Sequence, residues 1–178
     1  MITVICCTNR KGAYSRLLAE HYSGLLQEHG ETTSILDLSD LPPDFISSGL
    51  YDRNGKPEKF VEIQGVIDRS EKFVFIIPEY NGSFPGVLKA FIDGLQFPTS
   101  FRGKVAALVG LSSGTQGGAL AMSHLTDILN YLGMYVLPLK ARLSNIEVGF
   151  ENDKLTKTLY RDLLVMQMEL LTKFGGNK

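Results

Sequence analysis

Three times along this chain a short, near-continuous apolar run stops at a cluster of polar or small residues and restarts as a helical pattern. Ile2 to Cys7 precedes Thr8 to Tyr14, Lys72 to Ile77 precedes Pro78 to Ser83, and Lys104 to Leu111 precedes Ser112 to Gly118. Apolar runs of this length with β-branched members are strands covered on both faces. The stripes that follow them, Leu18/Tyr22/Leu25/Leu26, Leu88/Phe91/Ile92/Leu95 and Leu125/Ile128/Leu129/Leu132, recur at helical spacing. Ser15 is placed to cap the first helix and Gly30 to end it, while Phe97-Pro98 and Gly133 follow the later two. Between these units Thr32 to Leu38 predicts a second strand and Glu58 to Arg69 a second helix. Tyr135 to Leu139 predicts a fifth strand, and Leu155, Leu159, Leu163, Met166 and Leu170 mark a closing helix. Two stretches carry no period: Leu41 to Lys59, with three prolines and two glycines, reads as a surface excursion, and Ala141 to Asn152 as irregular chain.

Alternation of five strands with five helices implies a parallel sheet with helices on both faces, because each parallel crossover is right-handed and long enough to hold a helix. The expectation is an α/β three-layer sandwich with a five-stranded parallel sheet in the order 2-1-3-4-5. At 178 residues and 44% hydrophobic content there is material for one sizeable core, hence one domain over residues 1–178. In that order the switch point lies between strands one and three, so Thr8 to Ser15 and Pro78 to Ser83 face each other across it.

Eighteen basic against nineteen acidic residues give a formal charge of −1, which provides no field to gather a polyanion, so nucleic acid is not an expected partner. No stretch approaches the ~20 apolar residues of a membrane span, and Met1 to Val4 enters a strand without a basic leader, so the expected location is the cytoplasm. Cys6 and Cys7 stand side by side, a spacing that suits neither a disulfide nor a zinc knuckle; they read as buried thiols, with Cys7 a redox group only if it faces the first loop. No metal site is expected.

The first loop offers Thr8, Asn9, Arg10, Lys11 and Ser15 at the positive end of a helix, where backbone N–H groups and a guanidinium favour an anion such as a phosphate monoester. The same residues also make an ordinary strand-to-helix turn with two solvated cations. In the companion loop the backbone and Asn81 can bond the rim of a flat heterocycle, and Tyr80 can wall or stack; a plain polar turn with a solvated Glu79 fits as well. His21, His29 and His124 all fall on helices and read as surface or satisfied residues, so no catalytic residue is assigned.

The sixteen residues Pro78-Glu79-Tyr80-Asn81-Gly82-Ser83-Phe84-Pro85-Gly86-Val87-Leu88-Lys89-Ala90-Phe91-Ile92-Asp93 resemble the signature of the NADPH-dependent FMN reductase family, flavodoxin-like enzymes that include azo-dye, quinone and chromate reductases. The resemblance extends to Thr8, Arg10 and Ser15, and to Ser112-Ser113-Gly114 with Gly117-Gly118. It implies a flavodoxin-like fold in which Thr8, Arg10 and Ser15 hold the FMN phosphate, Pro78, Glu79, Tyr80 and Asn81 line the ring, and Ser112, Ser113 and Gly114 approach its other side. It also implies hydride transfer from NADPH or NADH to FMN, then electron transfer to a small acceptor (quinone, azo compound, metal oxyanion or free flavin) in ping-pong turnover. A homodimer or homotetramer follows from the same likeness, with Leu41 to Lys59 loosely resembling a dimer contact. Two positions depart from the family pattern: Cys7 stands where a glycine is usual, and Thr8 where serine is commoner.

Three other readings compete. A flavodoxin-type electron carrier would be expected to show strong one-sign charge, which this chain lacks. A Rossmann dinucleotide binder would use Asp37, but Thr8-Asn9-Arg10-Lys11-Gly12-Ala13 is not G-x-G-x-x-G. A non-catalytic flavin-binding module would share the fold without the turnover.

Overall fold

The computed structural model describes residues 1–46, 50 and 56–175. Its parallel sheet is built from β1 (Ile2–Cys6), β2 (Thr33–Asp37), β3 (Lys72–Pro78), β4 (Val105–Leu111), β5 (Tyr135–Val136) and β6 (Ala141–Leu143). The order is β2-β1-β3-β4-β5, with β6 also on β4. The helices are α1 (Tyr14–Glu28), α2 (Glu58–Arg69), α3 (Gly86–Gly94), α4 (Ala119–Tyr131) and α5 (Thr158–Lys173). A small antiparallel pair, β7 (Phe150–Glu151) and β8 (Lys154–Leu155), precedes α5.

Side-chain alternation along the strands sorts the core into two layers. Ile5, Cys7, Phe73, Phe75, Ile77, Ala106 and Leu108 point to the face covered by α2, α3 and α4. Val4, Cys6, Val74, Ile76, Ala107 and Val109 point to the face covered by α1 and α5, where Leu18, Tyr22, Leu164 and Met168 pack. Lysines close two helix ends: Lys104 Nζ donates to Ile67 O and Asp68 O at α2, and Lys72 Nζ to Leu171 O and Thr172 O at α5.

The fifth strand departs from expectation. Pairing on β4 runs from Val105↔Tyr135 to Ala106↔Val136, lapses, and resumes from Val109↔Ala141 to Leu111↔Leu143. Pro138 falls in the gap and has no N–H to offer the ladder. The fully buried Gln167 of α5 fills in: its Nε2 donates to Leu108 O and Leu139 O, each at 2.8 Å, and its Oε1 accepts from Tyr22 OH at 3.3 Å. Ala141 to Asn152, expected to be irregular, thus contains β6, a 3-10 turn (Ile146–Gly149) and β7.

Three further expectations need correction. Ser15 does not cap α1; Ala13 occupies that position without a side-chain bond, and Ser15 is the second helical residue. The stripe expected to bury α5 is its outer one: Leu159 and Met166 are 67% and 59% exposed and Leu170 is also exposed, while Tyr160, Leu164, Met168 and Leu171 face the sheet and Leu155 belongs to β8. The stretch Leu41 to Lys59 is not wholly on the surface, because Phe45 is fully buried, its ring stacked 4.7 Å from Phe60 under α3. Residues 47–49 and 51–55 of that stretch lie outside the described residues.

Candidate functional site

All three loops that follow β1, β3 and β4 emerge at the carboxyl end of the sheet, as the parallel register requires. Thr8 is buried at the foot of the first, where its Oγ1 accepts from Arg10 N at 3.2 Å and shares a 2.9 Å hydrogen bond with Tyr80 OH. That bond ties the first loop to the second. Gly12 takes the left-handed conformation (φ +67°) that lets the chain turn into α1. Ser15 Oγ, fully buried in the first turn of α1, has no hydrogen-bond partner. Since buried polar atoms are nearly always paired, this hydroxyl marks a gap that a ligand oxygen would fill. Arg10 and Lys11 are exposed beside it.

The second loop is a locked turn. Tyr80 and Ser83 exchange both backbone hydrogen bonds at 2.7 and 3.0 Å, and the two residues between them, Asn81 (φ 51°) and Gly82 (φ 77°), are left-handed, the geometry of a two-residue hairpin. Glu79 Oε1 accepts from Gly82 N at 3.0 Å, so the carboxylate braces the turn. Glu79 N donates to Leu111 O at 2.9 Å, which fixes the loop to β4.

The third loop folds on its own serine. Ser112 Oγ donates to Gly114 O and accepts from Gly117 N, both at 2.9 Å. Ser112 N donates to Leu143 O, and Ser112 O accepts from Ile146 N. Asn145 N donates to Gly114 O. By resuming the ladder beyond Pro138, β6 holds this loop in place. The crossing is tight enough that a Cβ on Gly118 would sit 2.9 Å from Gly110 Cα.

The loops enclose a cavity of about 200 Å³ lined by Arg10, Ser15, Pro78, Glu79, Tyr80, Ser112 and Ser113 among others. Seven of the ten residues singled out from sequence are thereby brought together. Thr8 lies underneath, while Asn81 and Gly114 are exposed and outside the lining. Ile146 and Glu147 also line it and were not anticipated, because a four-residue 3-10 turn leaves no periodic signal. A second cavity of about 450 Å³ flanks the first loop on its other side, against Arg16, Asp37 and Ser39. Asp37 there accepts from Ser39 N and pairs with Arg16 at 3.6 Å.

The cysteines contribute no reactive thiol. Both are buried and free. Burial, with Asp37 nearby, pushes the Cys6 thiol up to about 12. Burial and the neighbouring Cys6 raise Cys7 well above its ordinary value, and its Sγ lies 3.4 Å from Ile5 O. Among the described residues no group of three or more His, Cys, Asp or Glu could hold a metal ion, and no helix is long and apolar enough to cross a membrane.

Residues 1–146 match the family model of NADPH-dependent FMN reductase. The chain is 29% identical over 170 residues to an NAD(P)H-dependent FMN reductase of Pseudomonas aeruginosa, covering 91% of this chain and 88% of that protein. It is 30% identical over 139 residues to a 2-hydroxy-1,4-benzoquinone reductase of a Burkholderia species, covering 76% and 73%. Among solved structures, FerB of Paracoccus denitrificans, a flavoenzyme NAD(P)H:(acceptor) oxidoreductase, superposes with a TM-score of 0.79 at 24% identity over 97% of this chain and 95% of that one. Oxidised flavodoxin 1 from Bacillus cereus gives 0.62 at 14% identity over 97% of each. At those identities the structural likeness speaks to the fold, which is flavodoxin-like.

Proposed function

This chain belongs to the NADPH-dependent FMN reductase family, whose enzymes are NAD(P)H-dependent oxidoreductases that use FMN, and from that premise we propose that the three-loop cavity binds FMN and serves reduction of a small acceptor, in the first place a quinone. The observation that carries the reading is Ser15 Oγ, a fully buried hydroxyl with no protein partner at the start of a helix, beside the exposed Arg10. A phosphate monoester would complete its hydrogen bonding and meet the helix dipole favourably.

The residues present fit the group. Thr8, Arg10 and Ser15 would hold the phosphate, Thr8 also keeping Tyr80 in place through their shared hydrogen bond. Pro78 to Asn81 would present backbone groups to the ring from a turn that Glu79 braces. The Ser112 hydroxyl is spent mainly on its own loop, donating to Gly114 O and accepting from Gly117 N, so Ser113 and Gly114 would be the ones to approach the ring. FMN held there would supply the redox chemistry, namely acceptance of hydride from reduced nicotinamide and delivery of electrons to the acceptor in what would be alternating half-reactions. The cavity of about 200 Å³ is smaller than the usual ~300–1,000 Å³ ligand cleft, which supports a reading in which FMN is only partly enclosed and two substrates reach it in turn. The Burkholderia relative is named for a benzoquinone, which favours quinones over azo compounds, metal oxyanions or free flavin. Near-balanced charge, 18 basic against 19 acidic residues, favours this over a flavodoxin-type carrier docking to protein partners.

The whole chain, residues 1–178, acts in this reading as one flavin-binding domain in the cytoplasm, and its copies assemble. Two of the apolar surfaces exposed among the described residues suit such an assembly. One is the outer stripe of α5, where Leu159, Met166 and Leu170 are exposed and the half-buried Leu163 completes a 4-3-4 spacing, the seam of helix-on-helix packing against a second copy. The other is the groove of about 450 Å³ between α3 and α4, where Phe97 stacks on Tyr131. Two distinct self-complementary surfaces make a homotetramer of paired dimers, and either alone a homodimer.

The test is an absorbance spectrum of the purified protein, then anaerobic NADPH addition, then 1,4-benzoquinone. A flavin band that bleaches and returns on quinone addition is expected. A colourless protein that takes up no FMN, or a bound flavin that does not bleach, overturns the reading.

A further inference from the structure

Two exposed side chains stand over the rim of the second loop, and both come from α4. Leu120 and His124 are one helical turn apart, so they share a face of the helix. Leu120 is 55% exposed, and its Cδ1 lies 3.9 Å from where a Cβ on Gly82 would be. His124 Nδ1 lies 3.0 Å from Ser83 Oγ. Ser83 is itself pinned by its paired backbone bonds to Tyr80, whose hydroxyl reaches Thr8. The imidazole is therefore held by a chain of contacts that ends in the first loop, although it lies outside the cavity lining.

We propose that Leu120 and His124 form the acceptor-facing wall of the site, an apolar contact beside a directed N–H donor, which selects a planar carbonyl compound such as a quinone. The proposal rests on the flavin reading above. In the proposed arrangement the Ser83 hydroxyl is the donor to Nδ1 and the ring N–H is at Nε2, the tautomer that the ¹⁵N measurement below decides. With Nδ1 engaged, the Nε2 edge of this exposed side chain is the one left for a ligand. There Nε2–H donates to the acceptor oxygen on which negative charge builds as the acceptor is reduced, an interaction stronger in the transition state than in the ground state. Leu120, one turn earlier, covers the apolar edge of the same molecule. Ser83 is a positioning residue, acting through His124. Neither Glu79, committed to Gly82 N, nor Tyr80, committed to Thr8, is free for this task.

The experiment compares wild type with His124→Ala, His124→Gln, Leu120→Ser and Ser83→Ala as FMN-loaded proteins. Four quantities are read: the FMN dissociation constant by flavin fluorescence, the anaerobic bleaching rate with NADPH, and the reoxidation rates with 1,4-benzoquinone and with ferricyanide, which takes single electrons and needs no hydrogen bond to a carbonyl. His124→Ala should slow benzoquinone reoxidation roughly tenfold or more with the FMN dissociation constant and the ferricyanide rate unchanged. His124→Gln, which keeps an N–H donor, should recover most of that loss, and Leu120→Ser should raise the benzoquinone KM more than it lowers kcat. In ¹⁵N spectra His124 should be the Nε2–H tautomer in wild type and a mixture in Ser83→Ala. Equal rates for benzoquinone in wild type and His124→Ala overturn the proposal, as does parallel loss with ferricyanide or an Nδ1–H tautomer in wild type. Absence of flavin binding or of NADPH bleaching in wild type is a separate outcome that removes the proposed function along with it.

Discussion

Ser15 and Arg10 separate a binding role from a structural one. An orphaned buried hydroxyl costs stability in the empty protein, so Ser15→Ala should leave the apoprotein as stable or up to ~1 kcal/mol more stable while weakening FMN binding. Arg10→Ala removes an exposed cation that no fold contact needs and should cost roughly 1.5–3 kcal/mol of FMN affinity, about ten- to a hundred-fold. Fluorescence titration and urea unfolding together read both; a Ser15→Ala protein with unaltered FMN affinity would sink the phosphate assignment. His21 supplies a prediction of another kind. Burial, and then Arg161, holds its imidazole below the ordinary value, and its Nε2 is buried without a partner. The unfolded chain then binds a proton at a pH where the folded chain does not. The stability tied to neutral His21 is present above the ordinary histidine value of ~6.5 and is lost as pH falls through it toward the lowered folded value. Between pH 7.5 and pH 5.5 the urea midpoint of wild type should fall further than that of His21→Phe, and equal falls would remove His21 as the cause.

At the scale of elements, the sequence made the alternation of strands and helices legible because buried parallel strands are continuous apolar runs, and helix spacing is equally plain in α1, α3 and α4. It misled on α5. Leu159, Leu163, Met166 and Leu170 repeat correctly for a helix, yet α5 has apolar residues on two faces, and periodicity alone does not say which face meets the sheet. The site was legible where backbone chemistry sets it, in Thr8 to Ser15 and Pro78 to Ser83, and illegible at Ile146 and Glu147, which a non-periodic segment carries in from far along the chain. The break in the fifth strand was hidden for a related reason. Pro138 signals that a ladder bond is missing, but the remedy, Gln167, lies 28 residues from Leu139 on another element. Replacing Gln167 by Leu leaves Leu108 O, Leu139 O and Tyr22 OH without that amide, so a loss of about 2–5 kcal/mol in chemical unfolding is expected, from roughly 1–3 kcal/mol for each orphaned group with partial relaxation. A change below ~0.5 kcal/mol, the range of a neutral surface substitution, would show that the amide is dispensable.

For the molecule as a whole, the proposed assembly makes a prediction that mass measurement decides. Met166→Glu would set like charges against each other at the centre of the α5 seam, and Tyr131→Glu would do so at the α3–α4 groove. Light scattering should find each single variant reduced from tetramer to dimer and the double variant monomeric, all with native circular dichroism. A wild type that runs as a monomer excludes the assembly outright. The split fifth strand bears on a different kind of association. An open sheet has two edges able to recruit a foreign strand, and here one is β2, five residues long, while the other is broken into β5 of two residues and β6 of three. The Pro138 break thus interrupts the edge that would otherwise run from Tyr135 to Leu143, and a shortened edge is a poorer template for a foreign strand. Pro138→Val, which restores a ladder donor, should raise thioflavin-positive aggregate after prolonged incubation relative to wild type. Equal aggregation in the two proteins would mean that the interruption serves only to seat the third loop.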